Sequence, residues 1–255
     1  METYRFHHHR QHRRLTDRAR SMKGDDCHLK HLIRSDSRLV DFSASGGGIF
    51  FDYSRQRVDD TTMALLFELA EAAAVKTTFA DMATGKKVNV TEKRAALHMA
   101  TRSFSDLPIK VDGRDIKPDI QDVRAQIRNF AESVHQGAIT GSTGLAFRHV
   151  VVVGIGGSYL GTEFVARALE AFADKGLSLE FLANVDIHNF GSVWSRIEPQ
   201  QTLWVIISKS YTTVETMANE DLIRRTMEAN RLNPSKHVIT VTSKGSPGDQ
   251  DDGRG

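Results

Sequence analysis

One cysteine, Cys27, in 255 residues excludes an intramolecular disulfide and any CxxC-type zinc or redox site. A reducing compartment is the natural expectation, and cytoplasmic residence with it. Long apolar runs are missing too: the longest are strand-length, far below the roughly 20 residues that span a bilayer. The basic start of the chain is not followed by an apolar stretch and a cleavage site, so no secretory signal is expected. The net charge is only +2, so the chain as a whole is no electrostatic binder of nucleic acid. Neither a nucleic-acid nor a membrane partner is expected.

The charge that is present is uneven. Residues 1–23 carry Arg5, Arg10, Arg13, Arg14, Arg18, Arg20 and Lys23 against Glu2 and Asp17. Residues 1–26 therefore read as a basic disordered extension, and the histidines of "HHHRQHRR" at 7–14 as part of a solvated tail rather than a metal site.

Residues 27–140 read as a mostly helical region. A helical stretch and the glycine-rich turn "SASGGG" (43–48) precede a strand "IFFDYS" (49–54). A helix is expected over 59–74, capped by Asp59 or Asp60, with Met63, Leu66, Phe67, Ala70 and Ala74 on its apolar face. A second is expected over 91–103 with Thr91 as N-cap, although its apolar residues form no clean stripe. The third, 119–137, is clearly amphipathic: Ile120, Val123, Ile127, Phe130 and Val134 step by three or four, and Gly137 is a stop.

From residue 148 the rhythm becomes β-α-β-α-β-α-β. Apolar strands at 149–155, 179–185, 202–208 and 237–243 alternate with helices at 160–174, 190–197 and 214–230. Near-continuous Val/Ile runs between helices predict a parallel α/β sheet over 141–243. A four-stranded sheet followed by the polar stretch 244–255, expected as a disordered tail, reads as an incomplete one.

In such a sheet, ligands bind beyond the carboxyl ends of the strands, where free N–H groups and the positive helix end favour anions. Two segments fall there. "GIGGSYLG" (154–161) has glycines at 154 and 156 but Tyr159 where a G-x-G-x-x-G dinucleotide fingerprint needs its third. A G-x-x-x-x-G-K-[ST] phosphate loop is absent. "SKSYTT" packs Ser208, Lys209, Ser210, Thr212 and Thr213 into six residues of a strand-to-helix turn. That density of donors suits a monoester phosphate. The competing reading is a polar turn that caps the next helix, for which one hydroxyl suffices.

Together these segments resemble the N-terminal half of the glucose-6-phosphate isomerase family. "VVVGIGGSYLG" is similar to one family signature and "ISKSYTTVETMAN" (207–219) to its S-K-T-x-T-T-x-E-T segment, with Ser210 in place of Thr. "KKVNVTEKRAALHMATR" (86–102), "FDYSRQRV" and "VDGRDIKPDI" fall in family order, so the resemblance covers about residues 27–242. It implies a flavodoxin-like sugar isomerase (SIS-type) domain and interconversion of glucose 6-phosphate and fructose 6-phosphate through an enediol(ate), with no metal or organic cofactor. It implies that Gly157 and Ser158 touch the sugar phosphate. Ser208, Ser210 and Thr213 would hold phosphate oxygens, helped by Lys209 and Thr212. It also implies a homodimer. The family's proton-transferring glutamate, ring-opening histidine and lysine, and enediolate-stabilising arginine lie in its C-terminal half, so no residue here receives a catalytic role. The expectation is an isomerase chain recorded short or truncated and inactive alone. The alternative is a non-catalytic sugar-phosphate-binding SIS module, disfavoured because 27–140 also resembles the isomerase.

Overall fold

The computed structural model describes residue 7, residues 9–173 and residues 175–249. They form two compact units that divide at 121/122, within a long helix, rather than at the expected 140/141.

The first unit contains α1 (Arg10–Ser21), α2 (Leu29–Leu32), α3 (Arg38–Asp41), β1 (Ser43–Gly46), β2 (Ile49–Asp52), α4 (Asp60–Ala72), α5 (Val75–Ala83), β3 (Lys110–Val111) and β4 (Arg114–Asp115). The expected disordered extension is corrected over Arg10–Ser21. This segment is helical and packs on α4 because its arginines meet acids there: Arg14 pairs with Glu68, and Arg18 with Asp59 and, at 3.2 Å, the Thr62 hydroxyl. Residues 1–6 and 8 of that extension lie outside the described residues.

The glycine-rich stretch is the β1 strand and the turn of a β1–β2 hairpin. Gly47 and Gly48, at φ 58° and 78°, supply the two left-handed residues that a tight hairpin turn requires. Buried Arg38 fastens this region. Its guanidinium donates to the carbonyls of Ser54 (2.7 Å), Gln56 and Val58 (both 2.9 Å) and lies 4.2 Å above the centre of the Phe42 ring.

Asp59 caps α4, accepting from the Thr62 N–H at 2.9 Å. The buried face differs from the expected one: Leu65 and Leu69 are each 7% exposed, whereas Leu66 and Phe67 are 40% and 63% exposed. The α1-facing stripe runs through Thr61, Ala64, Leu65 and Glu68, so the apolar count did not identify the packed side. The helix expected over 91–103 is absent. Asn89 Oδ1 accepts from the Thr91 hydroxyl (2.8 Å) and the Glu92 N–H (3.1 Å), Lys93 turns to φ 53°, and only Ala100–Arg102 forms a short 3₁₀ turn. A local side-chain acceptor here outcompetes a helix that had no coherent apolar face.

The second unit takes most of α6 (Lys117–His135), then β5 (His149–Val153), α7 (Leu160–Ala168), β6 (Ser178–Leu182), α8 (Ile187–Trp194), β7 (Thr202–Ile207), α9 (Val214–Ala229) and β8 (Val238–Val241). All four strands are parallel, in the order β6-β5-β7-β8. The parallel sheet is the one expected from the alternating elements, and its order is the flavodoxin-like one that the family resemblance implies. On one face Val151, Val153, Trp204 and Ile206, all fully buried, pack with Phe190 and Val193 of α8 and Ile223 and Met227 of α9. On the other, Val150, Leu203, Val205 and Ile239 meet Phe130 and Val134 of α6. That contact is why α6 belongs with the sheet and the division falls earlier than expected.

His237, fully buried before β8, ties the sheet to the loop that enters it. Its Nδ1 donates to the Thr202 carbonyl at 2.9 Å, leaving Nε2 to accept the Ser142 N–H at 2.9 Å. A Cβ on Gly141 would sit 2.4 Å from the ring, so only glycine lets the chain pass. The ring is held neutral, and burial pushes its pKa below the ordinary 6.5.

Two predictions follow from these contacts. Leu69→Ala should cost about 2–4 kcal/mol of stability in urea titrations and Leu66→Ala less than about 1, reversing the order if the apolar count were the guide. The unfolded chain takes up a proton on His237 at pH values where the folded one does not. Stability is therefore intact above pH 6.5 and falls as pH drops below it towards the folded-state pKa. Melting curves between pH 8 and 5 should show this fall, and His237→Gln should flatten it while lowering stability throughout.

Candidate functional site

Strands β5 and β7 are neighbours in parallel register, His149 opposite Thr202 and Val153 opposite Ile206, so they end at the same edge of the sheet. From β5 the chain runs left to β6, and β7 lies on the right of β5. The order reverses at this point, the place at which open α/β sheets bind ligands. Both loops singled out from sequence leave from here.

The first loop turns sharply. Gly154 is buried and a Cβ there would come within 3.0 Å of the Ser158 Cβ and 3.2 Å of its backbone carbonyl group. Gly156 takes φ 57°, and Gly156–Ser158 form a 3₁₀ turn before α7. Above Gly157 an added Cβ would meet no atom within 4 Å, which leaves its backbone open to a ligand. Ser158 is half-buried beside it.

The second loop holds its hydroxyls in two pairs. Ser208 Oγ lies 3.3 Å from Thr213 Oγ1, and Ser210 Oγ 2.7 Å from Thr212 Oγ1. Ser208 is 1% exposed; Lys209, Ser210 and Thr212 are exposed, and Thr213 is half-buried. Thr213 is the N-cap of α9, yet its side chain caps no backbone N–H. The capping alternative required the reverse. The hydroxyls face one another across the turn, and the N-terminal N–H groups of a 16-residue helix are left without a side-chain cap. Glu215, on the exposed side of the first turn, is not part of the cluster.

Three features of the loop were not foreseen. Tyr211, at its centre, is left-handed at φ 54° and 7% exposed. Its N–H donates to Ser208 Oγ at 3.1 Å, and its hydroxyl donates to Glu220 Oε2 at 2.5 Å. Glu220 is buried on α9 and accepts from Arg224 Nε at 2.8 Å. The stretch after β8, expected as a disordered tail, is also ordered over 244–249. A Cβ on Gly248 would lie 2.4 Å from the Tyr211 ring, Thr240 Oγ1 donates to the Gly248 carbonyl at 2.9 Å, and Ser246 is buried. Residues 250–255 lie outside the described residues. Sequence carried one signal for the network: Glu220 is an acid in phase with the buried Thr216, Ile223 and Met227 of α9.

The fold and this edge define an open parallel α/β protein with two polar loops at neighbouring strand ends. The comparisons agree in kind. A family model for phosphoglucose isomerase matches residues 52–247. A glucose-6-phosphate isomerase of Desulfosudis oleivorans is 54% identical over 238 residues, covering 93% of this chain and 44% of that protein. Cytosolic glucose-6-phosphate isomerase B of rice is 41% identical over 224 residues, covering 85% and 39%. The crystal structure of a glucose-6-phosphate isomerase from Chlamydia trachomatis superposes with a TM-score of 0.74 at 28% identity, over 97% of this chain and 47% of that one. The chain belongs to the phosphoglucose isomerase family, and it spans less than half the length of the curated relatives it matches. No described helix is long and apolar enough to cross a membrane.

Gly154→Ala should loosen the first loop, because Ser158 has to move by a few tenths of an ångström. We expect a loss of about 1–2 kcal/mol in urea unfolding, whereas Gly161→Ala, with open space around it, should be near neutral or stabilising.

Proposed function

We propose that this chain supplies the sugar-phosphate-binding part of a glucose-6-phosphate isomerase, which interconverts glucose 6-phosphate and fructose 6-phosphate. The observation that carries the reading is the pair of strand-end loops at the switch point, with hydroxyls turned to each other rather than to the helix they precede. In this reading Ser208, Ser210 and Thr213 hold the phosphate oxygens, Lys209 and Thr212 assist, and Gly157 and Ser158 touch the sugar phosphate. The N-terminus of α9 adds favourable potential for a dianion.

Binding at the phosphate end fixes the far end of the sugar, so that its reacting carbons lie where proton transfer takes place. Binding energy remote from the chemistry is used for positioning. The proton shuttle between C2 and C1 is general acid–base work. No residue of this chain is assigned to it, and no metal or cofactor is invoked. The part proposed for this chain is recognition. Cytoplasmic residence and a homodimeric assembly complete the proposal. The single cysteine and the cytosolic designation of the rice relative support the first; family membership supports the second.

The test is a titration of the chain with inorganic phosphate and with glucose 6-phosphate, followed by amide chemical shifts. Shifts should concentrate at 156–158 and 208–214. Ser208→Ala and Thr213→Val should each weaken binding by about tenfold. Shifts spread evenly over the surface, or variants that bind as well as the parent, would count against the assignment.

A further inference from the structure

The hydroxyl-bearing loop turns about one strained residue. Its central residue, Tyr211, is a bulky L-residue in the left-handed region, where side chains sit unfavourably against the backbone. Such a conformation persists only where the surroundings over-determine it. The surroundings here are specific. The phenol donates to buried Glu220 at 2.5 Å. Glu220 is anchored in turn by Arg224 one helical turn on, at 2.8 Å, and both side chains are largely buried, 8% and 17% exposed. From the opposite side the Gly248 backbone leaves no room for a Cβ against the ring. At the top of this stack the Tyr211 N–H donates to Ser208 Oγ, which lies 3.3 Å from Thr213 Oγ1.

We propose that Glu220 is a positioning residue that acts through Tyr211: the Arg224–Glu220–Tyr211 chain sets the left-handed turn and so aims Ser208 and Thr213 at an incoming phosphate. The proposal rests on the phosphate reading of the loop for its function, but the mechanical coupling does not. A rigid cradle binds an anion more tightly because less ordering is left to be done on binding.

The experiment uses the 255-residue chain with Glu220→Ala, Glu220→Gln, Tyr211→Phe and the double variant Tyr211→Phe/Glu220→Ala. Two quantities are read: the hydrogen-exchange rate of the Tyr211 amide, and the dissociation constant for inorganic phosphate. Glu220→Ala and Tyr211→Phe should each accelerate exchange at Tyr211 about tenfold, with amides of β5 and β7 unchanged, and should weaken phosphate binding by about the same factor. Glu220→Gln keeps an acceptor for the phenol and should recover binding to within about threefold of the parent. The double variant should be no worse than Glu220→Ala alone, because the two side chains act as one unit. Unchanged exchange at Tyr211 in Glu220→Ala and Tyr211→Phe overturns the proposal whether or not phosphate binds. So does accelerated exchange with undiminished phosphate affinity. If the parent binds no phosphate, the phosphate reading fails separately, and the exchange rates still decide the coupling. Should Glu220→Ala not fold, Tyr211→Phe, which removes a single oxygen, decides it.

Discussion

Parallel pairing of β5 with β7 is the constraint on which everything at the candidate site depends. The two strands are not consecutive: α7, β6 and α8 intervene. Their in-register contact, five residue pairs long, brings the ends of "HVVVV" and "TLWVII" to one edge, and each opens into a loop that leads to a helix. A slip of one residue would exchange Val151 and Val153 with Val150 and Val152 between the two faces of the sheet. It would also pull one loop back from the other by about 3 Å. The core therefore fixes the geometry of the site through the same residues that stabilise the sheet. Trp204 and Ile206, fully buried in one cluster with Phe190 and Val193 of α8 and Ile223 and Met227 of α9, leave no latitude for such a slip.

Much of this second unit was legible in the sequence because its signals are local. Runs of Val and Ile gave strands whose ends fall within three residues of the observed ones, periodicity gave α6, and the β-α alternation gave α9. The glycine and hydroxyl motifs then fell at strand ends as the topology requires. The first unit was less legible, and for a physical reason. α1 has no apolar face to announce it; it is held by arginine pairs to acids at the start and in the middle of α4, 41 and 54 residues away, which no local pattern records. Conversely the stretch 91–103 has helix-forming composition, but Asn89 offers its backbone a closer partner. On α4 the apolar residues outnumber the positions available for burial, so counting them selected the wrong stripe.

At the site the residue types were legible and their arrangement was not. Nothing in "SKSYTT" says that the hydroxyls pair across the turn instead of capping α9, since that depends on one backbone dihedral, at Tyr211. The dihedral depends in turn on an acid nine residues later and a glycine 37 residues later. The stretch that holds Gly248 is rich in glycine, serine and aspartate, a composition that reads as solvent-exposed tail. It is ordered over 244–249 because its small residues let the backbone lie directly on the tyrosine ring.

Two kinds of polar group are used here, and they carry opposite costs. Exposed hydroxyls such as Ser210 and Thr212 are solvated, so they add little to stability. Buried groups such as Glu220 and Arg224 are costly to desolvate unless each is paired. A buried ion pair is weak evidence of stabilisation, because apolar residues of the same volume serve a core as well or better. What such a pair supplies that Leu or Met would not is direction: a carboxylate oxygen at a fixed point selects one rotamer of Tyr211, and with it one conformation of the loop above. The presence of an acid where α9 would otherwise bury an apolar side chain is thus better explained by what it does for the turn at Tyr211 than by what it does for the core.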